Sequence, residues 1–346
     1  MKRPTHRDIA RLANVTHVTV SLALRGHRSI PKVTRERIEV IARQIGYRPD
    51  PALQALMVYR RGASPSKYQG TLAWINNYQN PNRLRSHFND YFLGAEARCV
   101  ELGYQLQEFR MTELEMNFSR LSKVLRAQNI QGLLFPPQER SKHITKTSFD
   151  WENFAAIAFG FSLMRPQLDV VTNAQFRSAR LAMRKLRSLG YRRIGLVTDT
   201  LNLVKTDQNF LAGFLIEQLR FAPSERVPFY FAPKMNESEY EKGFRKWFSR
   251  HKPEVVIFVS AGMLGWLTEM TPAERNGCAW AVLDVPGCDT VTTGINQNNG
   301  VIGRAAVDML IAKIHANDLG IPATPRHTTI EGKWTAGKTA PRINAK

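Results

Sequence analysis

Apolar positions in the first sixty residues recur at helical spacing. Ile9, Ala10, Leu12 and Ala13 line one side of a short first helix. Thr5 with Asp8 three residues on reads as its capping box. The stretch Ala13, Asn14, Val15 breaks it, and Thr16 caps a second helix predicted over His17 to Leu24, with Gly26 as its stop. A third helix is predicted from about Lys32 to Ile45, with Ile38, Ile41, Ala42 and Ile45 on one face and Gly46 at its end. Asp50-Pro51 then opens a helix of about two turns to Tyr59, too short to stand alone in water. From residue 67 the rhythm changes. Apolar runs of four to six residues, such as "TLAWI", "AAIAF" and "VVIF", alternate with amphipathic helices, which predicts an α/β architecture with parallel sheets. Two such units are expected side by side, with crossovers near residues 160–175 and 285–300. "NQNNGVIGRAAVDMLIAKI" is read as a last helix running into a Pro/Gly-containing stretch.

Two short helices joined by a tight turn, with a third across them, form a helix-turn-helix arrangement. The second helix is apolar on more than one face. Val15, Val20, Ala23 and Leu24 fall on the side of its neighbours, while His17, Val18, Ser21 and Leu22 fall on the other. Two readings are open for Val18 and Leu22. They pack on another part of the protein, or they meet thymine methyls, the apolar feature of the DNA major groove. His17 suits a base edge, and Arg25 a guanine or a phosphate.

Charge favours the nucleic-acid reading. The chain holds 49 Lys+Arg against 29 Asp+Glu, a net of +20. Residues 1–61 carry 13 basic and 4 acidic side chains, so the first sixth of the chain supplies nearly half of the excess. Cys99, Cys278 and Cys288 are scattered, with no metal spacing, so neither a metal nor a cofactor is expected. The basic N-terminus lacks a continuous apolar core, and no run approaches a membrane span. A cytoplasmic protein without a membrane partner is expected.

The stretches "THRDIARLANVTHVTVSLALRG" and "TRERIEVIARQIGYRPDPALQAL" resemble the lactose/galactose-repressor (LacI/GalR) family of bacterial transcription regulators. The likeness is specific over residues 5–56. It implies an all-α helix-turn-helix headpiece (1–48), a hinge helix and linker (49–66), and a periplasmic-binding-protein-like effector and dimerisation domain (67–335), with a tail at 336–346. That effector domain consists of two α/β parallel-sheet subdomains. It also implies a homodimer on a palindromic double-stranded operator. Thr5, Thr16, His17, Val18, Thr19, Ser21, Leu22 and Arg25 are then the major-groove set, and Leu53 and Leu56 the minor-groove pair, with Leu56 as the wedge between base steps. Leu22 and Arg25 depart from the family's usual Arg and Asn, and Asp50 and Leu53 from its usual Asn and Ala. An operator unlike the family consensus is therefore expected.

Beyond the carboxyl ends of the predicted strands lie Asn77, Tyr78, Phe135, Pro136, Phe159, Asp199, Thr200, Ser260 and Asp284. Of these, Asn77, Tyr78, Phe135, Asp199 and Asp284, together with Phe210 and Gln297, are the candidate effector-binding residues. Asp284 and Gln297 match family ligand positions. Phe210 and Gly262 stand where sugar-binding members carry Arg and Asp, so the usual polyol clamp is incomplete. Tyr78, Phe210 and Trp266 are candidates to stack on a sugar, and equally candidates for the core. A small carbohydrate-like effector and no effector at all both remain open. No P-loop, GxGxxG, GxSxG or HExxH pattern favours an enzyme. The rival readings are a non-specific architectural DNA binder and a solute-binding protein.

Overall fold

A computed structural model describes residues 4–24, 29–45, 47, 68–113, 116–139, 142–144, 148–232, 237–287 and 289–343. The expectations for Arg25, Gly26, Gly46, Asp50, Leu53, Leu56 and the hinge helix lie outside the described residues, as does Cys288.

The N-terminal helices are α1 (His6–Ala13), α2 (His17–Leu24) and α3 (Lys32–Gln44). Ile9, Ala13, Val20, Ala23, Ile38 and Ala42 make their shared core. Leu12, expected on the buried side of α1, is exposed. Ile9 and Ala13 are four residues apart and cover the same strip of helix surface, whereas Leu12 is rotated off it.

The chain then builds β1 (Gly70–Asn76), α4 (Pro81–Glu101), β2 (Tyr104–Arg110), α5 (Phe118–Ala127), β3 (Gly132–Phe135), β4 (Lys142–His143), β5 (Ala155–Phe159), β6 (Leu163–Arg165) and β7 (Asp169–Asn173). It continues with α6 (Gln175–Ser188), β8 (Ile194–Asp199), α7 (Thr200–Lys205), α8 (Asn209–Gln218), β9 (Tyr230–Ala232), α9 (Glu237–His251), β10 (Val255–Phe258), α10 (Gly265–Thr268), α11 (Pro272–Arg275), β11 (Ala279–Val282) and β12 (Gly294–Asn296). Helix α12 (Asn299–Ala316) and strands β13 (His327–Ile330) and β14 (Lys333–Thr335) follow.

Two six-stranded sheets result. The first runs β13-β7-β5-β3-β1-β2 and is parallel throughout; the second runs β14-β12-β11-β10-β8-β9, with β14 antiparallel to β12. Central strands such as β3, β5 and β10 are buried along their whole length, as expected when helices cover both faces of a sheet. One face of the first sheet packs under α4 and α12 through Trp74, Phe159, Ile302 and Leu310. Its other face packs with α5 through Leu121, Phe135 and Phe154. The second sheet is covered by α6 and α8 around Met183, Leu196 and Phe214, and on the other side by α9 around Phe244 and Phe258.

The chain passes between the sheets three times. It crosses after β7 and after β12, close to the two expected places, and again between β13 and β14. The third crossing falls in the Pro/Gly-containing stretch expected after the last helix. Its strands are short and largely exposed, so they carry no apolar run to announce them. Residues beyond 335 also pack onto the second sheet. Ala340 is buried, and Thr339 donates its hydroxyl to the Trp280 carbonyl at 2.9 Å.

Candidate functional site

The headpiece is built by local chemistry. At the start of α1 the Thr5 backbone N–H and hydroxyl both donate to Asp8 Oδ2, at 2.8 and 2.7 Å. Asn14 ends α1 in the left-handed region at φ 49°, which turns the chain sharply into α2. Thr16 Oγ1 accepts from the Thr19 N–H at 3.1 Å and lies 2.9 Å from the Thr19 hydroxyl, so both threonines fix the first turn of α2. Two long-range bonds lock the bundle, and neither was visible in the sequence pattern. Arg37 donates to the Ala13 carbonyl at 3.1 Å, and the Tyr47 hydroxyl meets His6 Nε2 at 2.8 Å.

This frame determines what α2 presents. His17 is exposed, and Val18 is 53% exposed although it is a large apolar residue. Ser21 is half-buried. Leu22 differs from the expectation: it is half-buried and packs against the headpiece core, so its side chain is shared between core and surface. The helix is too short for a clean division. At 100° per residue, Leu22 sits between the strip of Val20 and Ala23 and that of Val18. Arg7 and Arg11 of α1 and Lys32 and Arg43 of α3 are exposed around the same unit.

The α/β rule puts ligands beyond the carboxyl ends of the strands, where the segments after β1, β3 and β11 lie. Asn77 donates to Gln138 Oε1 at 3.1 Å and thereby ties the end of β1 to the end of β3. Gln138 is buried; its N–H donates to Ser162 Oγ at 2.7 Å. Asp284, at the end of β11, accepts from Asn299 Nδ2 at 3.3 Å. Burial raises the Tyr91 hydroxyl well above the usual phenol range, and the Asp284 charge adds to that shift. A carboxylate of the second sheet therefore acts on a tyrosine packed under the first.

The two units also touch directly. The Phe161 N–H donates to the Lys205 carbonyl at 3.2 Å, and the Lys205 ammonium lies 5.9 Å from the centre of the Phe88 ring. Gly160, at φ +65°, lets the chain pass there; a Cβ would sit 3.3 Å from the Lys205 carbonyl oxygen. Beside this contact a cavity of about 750 Å³ runs between the loop after β5 and α7, lined by Phe161, Met164, Leu203, Val204 and His327.

Several candidate residues lie elsewhere. Phe135 is 1% exposed and packs against Trp151 beneath the first sheet. Phe210 is 3% exposed in the core under α6 and α8. Neither ring is available to a ligand, because strand alternation and the helix face send both inward. Tyr78 is likewise buried, in the cluster with Trp74 and Tyr91. Trp266 packs among Tyr230, Tyr240 and Phe244. Asp199 caps α7, accepting from the Asn202 N–H at 2.6 Å and from Asn202 Nδ2 at 3.1 Å. Gln297 is buried and donates to the Leu283 carbonyl at 2.5 Å. Asn77 and Asp284 lie just beyond strand ends, held by the unforeseen Gln138 and Asn299, while Phe88, Phe161 and Lys205 meet where the two units touch. Nothing in sequence spacing brings Lys205 and Phe88 together; only the packing of the two units does.

Residues 5–50 match the profile described as bacterial regulatory proteins, lacI family. Those residues carry the LacI-family DNA-binding motif. Full-length likeness runs through LacI-type regulators. The repressor PurR of Haemophilus influenzae (strain PittEE) is 23% identical over 333 residues, 92% of this chain and 93% of that protein. PurR of Klebsiella pneumoniae subsp. pneumoniae is 25% identical over 340 residues, 90% of each. Among solved structures, a complex of the transcriptional regulator CelR with cellobiose superposes with a TM-score of 0.59 at 19% identity, covering 97% of this chain and all of that one. The Lac repressor dimer bound to operator and an anti-inducer gives 0.55 at 16% identity, covering 98% and 99%. The helix-turn-helix headpiece followed by two α/β units is thus the LacI-type architecture, and the chain is a sequence-specific DNA-binding transcriptional regulator. Among the described residues no helix is long and apolar enough to cross a membrane.

Proposed function

We propose that the chain is a cytoplasmic homodimeric repressor that binds a palindromic operator and responds to a small carbohydrate-like ligand beyond the carboxyl ends of the strands. The observation that carries the DNA reading is the outward face of α2. Val18 is exposed there beside His17 on a helix held rigid by its Thr16 cap, so an apolar contact and a polar contact are offered together. That combination suits a thymine methyl next to a base edge in the major groove. Thr5, Thr16, Thr19, Ser21, Leu22 and Arg25 complete the proposed major-groove set, and Leu53 and Leu56 the proposed minor-groove pair.

Exposed apolar side chains support self-association. Leu93 and Val100 of α4, Val301 of α12, Leu215 and Ile216 of α8 and Leu219 just after it are exposed. Asn77, Asp284 and Asn299 supply the polar groups that would orient a sugar, and Lys205 beside Phe88 a cation next to an aromatic face. A ligand that binds one arrangement of the two units more tightly would bias the headpieces through linkage. The chain acts by binding and carries out no turnover in this reading.

The test is selection of sites from a random duplex pool with full-length protein at near-physiological salt. Enrichment of a palindrome with a central pyrimidine–purine step is expected. Retention of DNA with no enriched motif, with or without a sugar panel, would replace this reading by non-specific architectural binding.

A further inference from the structure

A second cavity lies at the opposite end of the second sheet from the carboxyl ends of its parallel strands. It occupies about 740 Å³ beside the amino-terminal ends of β10 and β11, next to Pro253 and Cys278. That volume falls in the range of small-molecule sites, roughly 300–1,000 Å³. Its floor is apolar: Phe248, Met270 and Cys278 are all buried residues. The C-terminal segment roofs it. The Tyr191 hydroxyl donates to the Pro341 carbonyl at 2.7 Å, and the Ile343 N–H donates to the Leu189 carbonyl at 2.8 Å.

The charges around the rim are unequal in their engagement. Glu254 accepts from the Arg192 and Arg193 N–H groups at 2.5 and 3.1 Å. Glu274 accepts from the Thr271 N–H and hydroxyl and from Arg245. Arg245 is held in turn by Glu241 as well as Glu274. Glu274 is therefore paired with Arg245, and Glu254 is held by backbone N–H groups. Lys252, Arg275 and Arg342 also line the cavity, and among the described residues none of their side-chain charges meets a carboxylate. Arg275 Nε is buried with no acceptor. A buried donor without a partner costs stability unless a ligand or solvent satisfies it.

We propose that this cavity binds a small amphipathic organic anion, with its apolar body on Phe248, Met270 and Cys278 and its carboxylate or sulfonate on Arg275 and Arg342. The guanidinium groups select the anion, and the floor selects the apolar body. A cation of the same body meets repulsion at the rim, and a fully hydrophilic anion leaves the floor uncovered. The site is separate from the proposed sugar site and does not depend on what that site holds.

The experiment uses the full-length protein and three probes that share a ten-carbon chain: decanoate, decyltrimethylammonium and decanol. Calorimetric titration is paired with N-ethylmaleimide labelling of Cys278, resolved from Cys99 by peptide mass spectrometry. Decanoate is expected to bind saturably, with the other two at least tenfold weaker, and to slow labelling of Cys278 but not of Cys99. Arg275→Gln with Arg342→Gln should weaken decanoate at least tenfold. Ala273→Trp, an exposed lining position, should occlude the mouth and serves if the arginine variant fails to fold. Equal binding of the ammonium probe, or unchanged Cys278 labelling at saturating decanoate, would overturn the proposal.

Discussion

Lys313 Nζ lies 2.8 Å from Asp169 Oδ2, and both side chains are buried. The pair joins α12, which enters after the second crossing, to β7, the strand before the first. Arg326 adds its backbone N–H at 2.8 Å and a guanidinium N–H at 2.9 Å, so the segment leading into β13 is held by the same carboxylate. A single acid thus fastens the returning chain to the first sheet.

Asp169→Asn should be strongly destabilising, because it leaves an ammonium buried with only Asp318 beside it. The expected loss is about 3 kcal/mol. It should appear as a lower urea midpoint for the effector domain, with the headpiece transition unchanged. A midpoint shift below a tenth of the wild-type value would mean that the pair is energetically idle.

Acid should act through the same carboxylate. Burial alone would raise the Asp169 carboxyl, but the bonds from Arg326 and Lys313 outweigh it and hold the group below the usual Asp value. Glu217 follows the same logic: burial raises it, and Arg180 and Arg184 bring it lower. Depressed folded values mean that this stabilisation is complete above about pH 5, beyond the unfolded values, and is lost as pH falls through the folded values. Urea midpoints measured from pH 6 to pH 2.5 should stay level at first and then drop. In Asp169→Asn the drop should be smaller.

Thr16→Ala removes the acceptor for the Thr19 N–H and should cost the headpiece about 1 kcal/mol. Thr16→Ser should restore most of it. Thermal melting of the headpiece is the measurement. Equal melting of the alanine and wild-type proteins would show that solvent replaces the cap.

Val18 and Leu22 should separate stability from recognition. Leu22→Ala takes atoms from a half-buried contact with the headpiece core and should cost about 1–2 kcal/mol. Val18→Ala should change stability by less than about 0.5 kcal/mol, as surface positions do, yet alter the preferred operator base. The same site selection with both variants, alongside their melting curves, decides it. An unchanged Val18→Ala motif would remove Val18 from base reading.

Gly160→Ala should loosen the contact between the two units. The residue sits at φ +65°, and the added Cβ presses on the Lys205 carbonyl. A cost of about 1–2 kcal/mol is expected for a side chain in that region. Faster amide exchange at Phe161 than in wild type would report it.

The headpiece was legible because its information is local. Capping residues, a turn Asn and apolar positions three and four apart specify α1, α2 and α3 within a few residues of one another. The basic bias and the alternation of apolar runs with amphipathic helices likewise set the class of partner and the α/β architecture, since both depend on composition and period alone. The candidate ligand residues were not legible in the same way. Phe135 and Phe210 follow predicted strands or open helices near the right end of the sheet, but which face a ring takes depends on the sheet's twist and on its neighbours, and both turn inward. Lys205 meets Phe88 and Phe161, and Lys313 meets Asp169, only after the chain has crossed between sheets, over separations that no period records. Chain composition and spacing by themselves determined the helices of the headpiece, the α/β alternation and the basic bias of the first sixty residues. The third crossing, the contact between the two units and the groove under the C-terminal segment were decided by tertiary packing, because each is made by residues far apart in the chain that only burial and charge pairing bring together.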